Sequence, residues 1–226
     1  NVQGKGVKIS QQNNYPWEGD LKFVLEPKTS LKFSLMVRIP GWAQEMPIPS
    51  DLYAFEDTNW LMEPVGFIKK IVIKINGTPA EYTMENGYAV LNRTWKPNDI
   101  VEVSLPMDVR RVIAVDKLKE DAGKVALQRG PLIFCAEGQD NNGKASNIVL
   151  PRDASFSAEF KPDMLNGITV LKSDAIAVMV DEKGNKVNTV KQSFVAIPYY
   201  AWANRGKGEM TIWFPEKIKD IEILSH

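Results

Sequence analysis

The sequence predicts an all-β chain of two consecutive antiparallel sandwiches, residues 1–108 and 109–226, the first of them jelly-roll-like. Three observations predict it. Apolar residues recur at every second position in run after run. Turn residues punctuate these runs every 8–12 residues or so, the spacing of a sandwich or jelly roll. No stretch keeps the 3.6-residue period of a helix for three turns.

Leu21, Phe23 and Leu25 alternate with Lys22 and Val24. Leu31, Phe33, Leu35, Val37 and Ile39 alternate with Lys32, Ser34, Met36 and Arg38. This is the pattern of strands with one buried and one solvated face. Glu26-Pro27-Lys28-Thr29 turns between the two runs, and Pro40-Gly41 ends the second. Over residues 44–66 the period fails, and prolines bracket Leu52, Tyr53, Phe55, Trp60, Leu61 and Met62. The segment reads as a long loop with a short helical turn at 50–55, capped by Ser50 or Asp51. Loops of this length in compact domains are usually functional or form interfaces. Leu52, Tyr53, Phe55, Trp60 and Met62 exposed together there would call for a partner surface.

Alternation resumes at Ile71, Ile73 and Ile75 and ends in the tight turn Asn76-Gly77. The following stretch, 86–107, organises the first half. Asn86-Gly87 is a strong hairpin signal. Strands follow at 88–93 and 100–105, joined by the polar turn Lys96-Pro97-Asn98-Asp99, with Trp95 covering the apolar face. The register continues through 109–115 to a charged turn at 116–121, close to the domain boundary at 108/109. In the second half, Gly130-Pro131 interrupts two apolar runs over 124–136, as at a bulge or a sheet corner. Short β-type runs follow at 148–150, 158–160, 168–171, 175–180, 193–198 and 210–214.

At 226 residues, with 44% hydrophobic and 25% charged residues, the chain can bury a core in one large β domain or two small ones. Lys+Arg and Asp+Glu are 28 each and scattered, which argues against a nucleic-acid partner. No apolar run approaches the roughly 20 residues of a membrane-spanning helix. Cys135 is the single cysteine, so the chain holds no disulfide of its own. The single histidine is the last residue, His226, which leaves a folded site without the commonest general base. The chain opens at Asn1 rather than at an initiator methionine, and the expectation is that it is a piece of something longer.

Four groups of residues invite a chemical reading. Cys135 follows Ile133 and Phe134 in an apolar run and has no partner base, so it reads as a buried structural thiol. Glu81 with Glu85, or Glu18 with Asp20, would be carboxylate pairs of the kind that hydrolyse glycosides, but acids beside turns are usually solvated. Asp140-Asn141-Asn142-Gly143 lacks the spacing and the bidentate Glu of a calcium loop and reads as a turn. The aromatics Tyr15, Trp17, Trp42, Trp60, Tyr199, Tyr200 and Trp202 suit either core and interface anchors or stacking platforms for sugar.

Several motifs, in order, carry a family resemblance. They are YPWEGD at 15–20, RIPGWA at 38–43, PSDLY at 49–53, ING at 75–77, GYAVLNRTWKPNDIVEVSLPM at 87–107, KVALQRGPLIFCAE at 124–137 and YYAWANRG at 199–206. Together they resemble the C-terminal part of glycoside hydrolase family 127, the β-L-arabinofuranosidase-like proteins, in its Bacteroidetes form. The resemblance implies a parent with an N-terminal (α/α)6 barrel followed by β-sandwich domains. It places a cysteine nucleophile, a zinc held by further cysteines and a glutamate, and an acid/base glutamate in that barrel. No catalytic, cofactor-binding or metal-binding residue transfers to this chain.

The expected function is therefore the non-catalytic C-terminal β region of a hydrolase of plant glycans, inactive alone, in a periplasmic or secreted parent. Its expected partner is the barrel, or a second copy of the chain in the barrel's absence, with residues 44–66 as the docking element. The WEG turn at 17–19 reads as a second insertion that a sandwich does not need. A carbohydrate-binding module acting through Trp17, Trp60 or Trp202 is the alternative. A complete enzyme using a carboxylate pair on a β fold is the third reading.

Overall fold

The computed structural model describes residues 1–58, 71–181 and 185–221. Among them there is no α-helix, only strands joined by turns and short 3₁₀ segments. The described residues divide into two compact units, 1–49 with 71–108 and 50–58 with 109–221.

The first unit opens with β1 (Val7–Asn13), β2 (Asp20–Pro27) and β3 (Leu31–Arg38). The next strand, β4 (Tyr53–Phe55), belongs to the second unit. The first unit then resumes with β5 (Val72–Ile75), β6 (Thr78–Pro79), β7 (Thr83–Glu85), β8 (Tyr88–Trp95) and β9 (Asp99–Ser104). These form an antiparallel sheet of order β1-β2-β9-β5-β6 and another of order β3-β8-β7. Leu25, Ile73, Ile75, Val101 and Val103 are buried on the first sheet, and Leu31, Val37, Ala89, Leu91 and Trp95 on the second. The alternation read from sequence is thus the alternation of buried and solvated faces.

Asn86 and Gly87 both take positive φ, 51° and 79°, as the tight β7–β8 hairpin requires. Arg38 ties that hairpin to β3 by donating to the Gly87 and Ile39 carbonyls at 2.6 and 2.7 Å. The Lys96-Pro97-Asn98-Asp99 turn does not join a hairpin, because β8 and β9 lie in different sheets. It carries the chain across instead. The Asp99 carboxylate accepts the Lys96 N–H at 2.8 Å and Asn76 Nδ2 at 2.9 Å, and Asn98 N–H bonds the Leu25 carbonyl. The WEG turn is likewise integral. A Cβ on the buried Gly19 would stand 2.1 Å from the Leu105 carbonyl oxygen, which no side chain tolerates.

The second unit adds β10 (Val109–Ala114), β11 (Lys124–Arg129), β12 (Leu132–Glu137), β13 (Ile148–Val149), β14 (Ser157–Lys161), β15 (Ile168–Val180), β16 (Lys186–Pro198), β17 (Met210–Thr211) and β18 (Phe214–Pro215). Its sheet runs β13-β15-β16-β12-β11-β10-β4, with β14 on β15, β17 on β12 and β18 on β11. The two runs at 168–171 and 175–180 are one continuous strand. Gly130-Pro131 makes a two-residue hairpin, with Arg129 opposite Leu132, rather than a bulge or corner. Phe134, Leu127, Leu171, Phe194 and Phe214 centre the core, the last two rings meeting edge to face at 5.2 Å.

The described part of the long loop corrects two expectations. Residues 53–55 form a strand rather than a helical turn, and Ser50 Oγ accepts the Leu52 N–H at 3.1 Å. Phe55 is buried in register with Val112, and Tyr53 stacks on Trp213 at 5.8 Å. Arg110 lies over the Phe55 ring and pairs with Asp57 at 2.6 Å. These aromatics are therefore spent on their own unit, not held out for a partner. Trp60, Leu61 and Met62 lie outside the described residues.

Candidate functional site

The sequence candidates separate on burial and partners. Trp42 is buried in a short 3₁₀ turn, and its indole donates to the Tyr15 hydroxyl, whose acidity burial weakens. Trp17 is half-buried. Asp20 accepts a hydrogen bond from Ser104 Oγ at 2.6 Å. It lines a shallow groove of about 530 Å³ with Lys22, Val72, Lys74 and Glu102 on the outer face of the five-stranded sheet. In register, Lys22 faces Glu102 and Glu102 faces Lys74, a cross-strand ladder of alternating charge on a solvated face. Glu18, Glu81 and Glu85 are exposed on the first unit.

Asn141 is almost wholly buried. It exchanges bonds with the Val195 backbone at 2.9 and 3.0 Å and donates to the Glu137 carbonyl at 2.8 Å. The Asp140-Asn141-Asn142-Gly143 loop is thus a clamp on β16. Among the described residues, no group of three or more His, Cys, Asp or Glu is placed to hold a metal ion. They do not fit the zinc that the resemblance assigns to a barrel, and no step runs through it here.

What remains is the YYAWANRG loop, which leaves β16 at Pro198 and returns at Met210 of β17. Both ends are pinned on β12, Pro198 opposite Phe134 and Met210 opposite Glu137. Beneath the loop lies Glu137, only 4% exposed. Its carboxylate accepts the Ala203 N–H at 3.0 Å and Gln139 Nε2 at 2.9 Å, and it pairs with Arg205. Arg205 also pairs with Asp140, its Nη1 donating to Oδ1 at 3.0 Å. Burial alone pushes Glu137 up, but these donors outweigh it and hold the carboxyl below the usual glutamate range.

Two further fastenings complete the loop. Asn204 Nδ2 donates to the Ala201 and Trp202 carbonyls. Glu209 Oε2 collects the Ala145 and Ser146 N–H groups and Ser146 Oγ at 2.7–3.1 Å, which holds its carboxyl low against burial.

Cys135 is fully buried on β12. Burial, reinforced by the Glu137 charge, pushes its thiol up to about 12, so it stays protonated at neutral pH. On the outer side of the loop, Tyr199, Tyr200 and Trp202 are 43, 62 and 42% exposed. The Tyr199 and Trp202 rings are within 12° of parallel, with centroids 6.3 Å apart. The loop thus combines a carboxylate already committed to protein donors with three exposed aromatic rings. Sequence reasoning picked out the three aromatics. It missed the Glu137–Arg205–Asp140 network, because Arg205 stands more than sixty residues from both acids and no local signal links it to them.

Comparison with known proteins places each half. The model of the β-L-arabinofuranosidase GH127 middle domain matches residues 1–107, and that of the glycoside hydrolase family 127 C-terminal domain matches residues 109–215. The chain is 28% identical to the non-reducing end β-L-arabinofuranosidase of Bifidobacterium longum subsp. longum, over 92% of this chain and 30% of that protein. A solved GH127 β-arabinofuranosidase shares 35% identity at a TM-score of 0.84, over 96% of this chain and 33% of its own. The GH127 β-L-arabinofuranosidase Ara127N-Se from Geobacillus stearothermophilus T6 shares 36% identity at a TM-score of 0.79, over 96% of this chain and 31% of its own. The chain spans about a third of the length of these relatives.

Proposed function

The chain belongs to glycoside hydrolase family 127, whose middle and C-terminal domains follow one another along it, and on that premise we propose that it is the non-catalytic β region of an enzyme acting on arabinofuranosyl-bearing plant glycans. The two domains support a catalytic (α/α)6 barrel carried elsewhere in a periplasmic or secreted parent. The observation that carries this reading is the match of two consecutive domain models to a chain only a third as long as relatives named as arabinofuranosidases. The protonated, buried Cys135 and the fully engaged Glu137 support it, since neither is free to act as nucleophile or acid. No helix of the described residues is long and apolar enough to cross a membrane.

The test compares the parent hydrolase with and without these two domains. The shortened enzyme should lose soluble yield and unfold at a lower temperature. A catalytic part equally stable and active without them would overturn the supporting role. The exposed Tyr199, Tyr200 and Trp202 favour a second reading, in which the region itself contacts glycan.

A further inference from the structure

We infer that Tyr199, Tyr200 and Trp202 form a stacking platform for a neutral sugar ring, that of an arabinofuranosyl-bearing glycan, with Asn204 and Lys207 bonding its hydroxyls. The three rings stand within four residues on one loop, and two of them are near parallel. A sugar's C–H groups carry the partial positive charge that the π face of an aromatic ring attracts, so exposed rings bind sugars without needing a charge.

The loop is set before any ligand arrives. Ala203 is held at φ 64°, in the left-handed region, by its N–H bond to Glu137. Arg205 bridges two acids and Glu209 fastens the return. Such preorganisation removes much of the ordering cost of binding.

The surroundings choose the ligand class. Ala203, Asn204, Gly206, Lys207 and Gly208 follow the rings along the loop and are exposed, so the exposed residues next to the aromatics in the chain are polar or small. Asn204 spends its Nδ2 on the loop, while its Oδ1 is left without a partner among the described residues and can accept a sugar hydroxyl. The ionic network is mostly buried, Glu137 most of all. From 199 to 208 the exposed residues offer Lys207 as a cation and no acid. A nucleic acid would stack on the rings too, but its backbone needs several cations along its track. A neutral, hydroxyl-rich ring fits best. The choice of arabinose among sugars rests on the family reading above.

The experiment titrates the chain with arabino-oligosaccharides released from arabinan, with cello-oligosaccharides in parallel, by calorimetry and by tryptophan fluorescence. Saturable binding of the arabino-oligosaccharides is expected, weakened about tenfold or more in Trp202→Ala and in Tyr200→Ala. Both variants should unfold at the parent temperature, since Trp202 and Tyr200 are exposed. No saturable binding, equal affinity in both variants, or equal affinity for cello-oligosaccharides would overturn the inference. So would variants that bind no less sugar but lose affinity for the catalytic part of the hydrolase, which would make the rings a protein-docking face. Each of these results leaves the supporting role standing, because that role is tested by removing the domains.

Discussion

Trp95→Ala is expected to cost about 3–5 kcal/mol of stability in the first unit, the usual range for emptying a buried tryptophan site. Trp95 closes β8, opposite Leu31, and is fully buried. Its ring lies 6.0 Å from Phe33, the Arg93 guanidinium stands 5.3 Å over it, and its indole N–H donates to the Phe33 carbonyl at 3.0 Å. Alanine removes all of these contacts and opens a cavity between neighbours that β-sheet bonds hold in place. Trp95→Phe keeps most of the apolar volume but leaves the Phe33 carbonyl unmet, so about 1–3 kcal/mol is expected. Denaturant unfolding of the three proteins measures the series. A loss below about 1 kcal/mol for Trp95→Ala would show that Trp95 does not anchor the unit.

Arg205→Ala is expected to be comparably severe in the second unit, about 3–5 kcal/mol at neutral pH, because it strands a buried charge. The Glu137 side chain is 5% exposed and that of Asp140 is 19%, and Arg205 is the cation paired with both. The sign of the pH dependence separates this cause from simple loss of packing. In the parent protein the Glu137 carboxyl lies below the usual range, so its stabilisation is present at neutral pH and is lost only as pH falls through that lowered value. In Arg205→Ala, burial acts with the Arg205 hydrogen bond and charge gone, the Ala203 N–H and Gln139 remaining, and protonation relieves the stranded charge. The gap between the two proteins should therefore narrow steadily from neutral pH into the acid range. A gap independent of pH would assign the loss to packing instead.

Much of the architecture was legible because period-two alternation reports a buried face directly. The runs at 21–25, 31–39 and 71–75 and both Asn-Gly turns became strands and tight hairpins as the pattern implies. What alternation does not report is which strand pairs with which. Lys96-Pro97-Asn98-Asp99 has hairpin chemistry, yet it links two sheets, because β8 is already flanked by β7 and the distant β3 while β9 lies between β2 and β5. The edge strand β1 went unread, since most of VKISQQN faces solvent and shows little apolar rhythm. β4 was hidden for a different reason: three residues are too few to show a period.

The candidate site was legible only on its outer side. Tyr199, Tyr200 and Trp202 are visible as aromatics, but residue type does not distinguish them from the buried Trp42 or from Tyr53, which stacks on Trp213. Burial is set by packing. The ion network beneath the loop was invisible altogether, because Glu137, Asp140 and Arg205 meet only once β12, β16 and β17 are side by side.

The most direct measurement of the central claim, that the chemistry lies outside these two domains, is turnover of an aryl β-L-arabinofuranoside by this chain alone, with and without added zinc. No hydrolysis above background is expected in either condition, and no change on substituting Cys135→Ala. Turnover that survives repurification and disappears on substituting Cys135, Glu137 or another of the chain's own residues would contradict it.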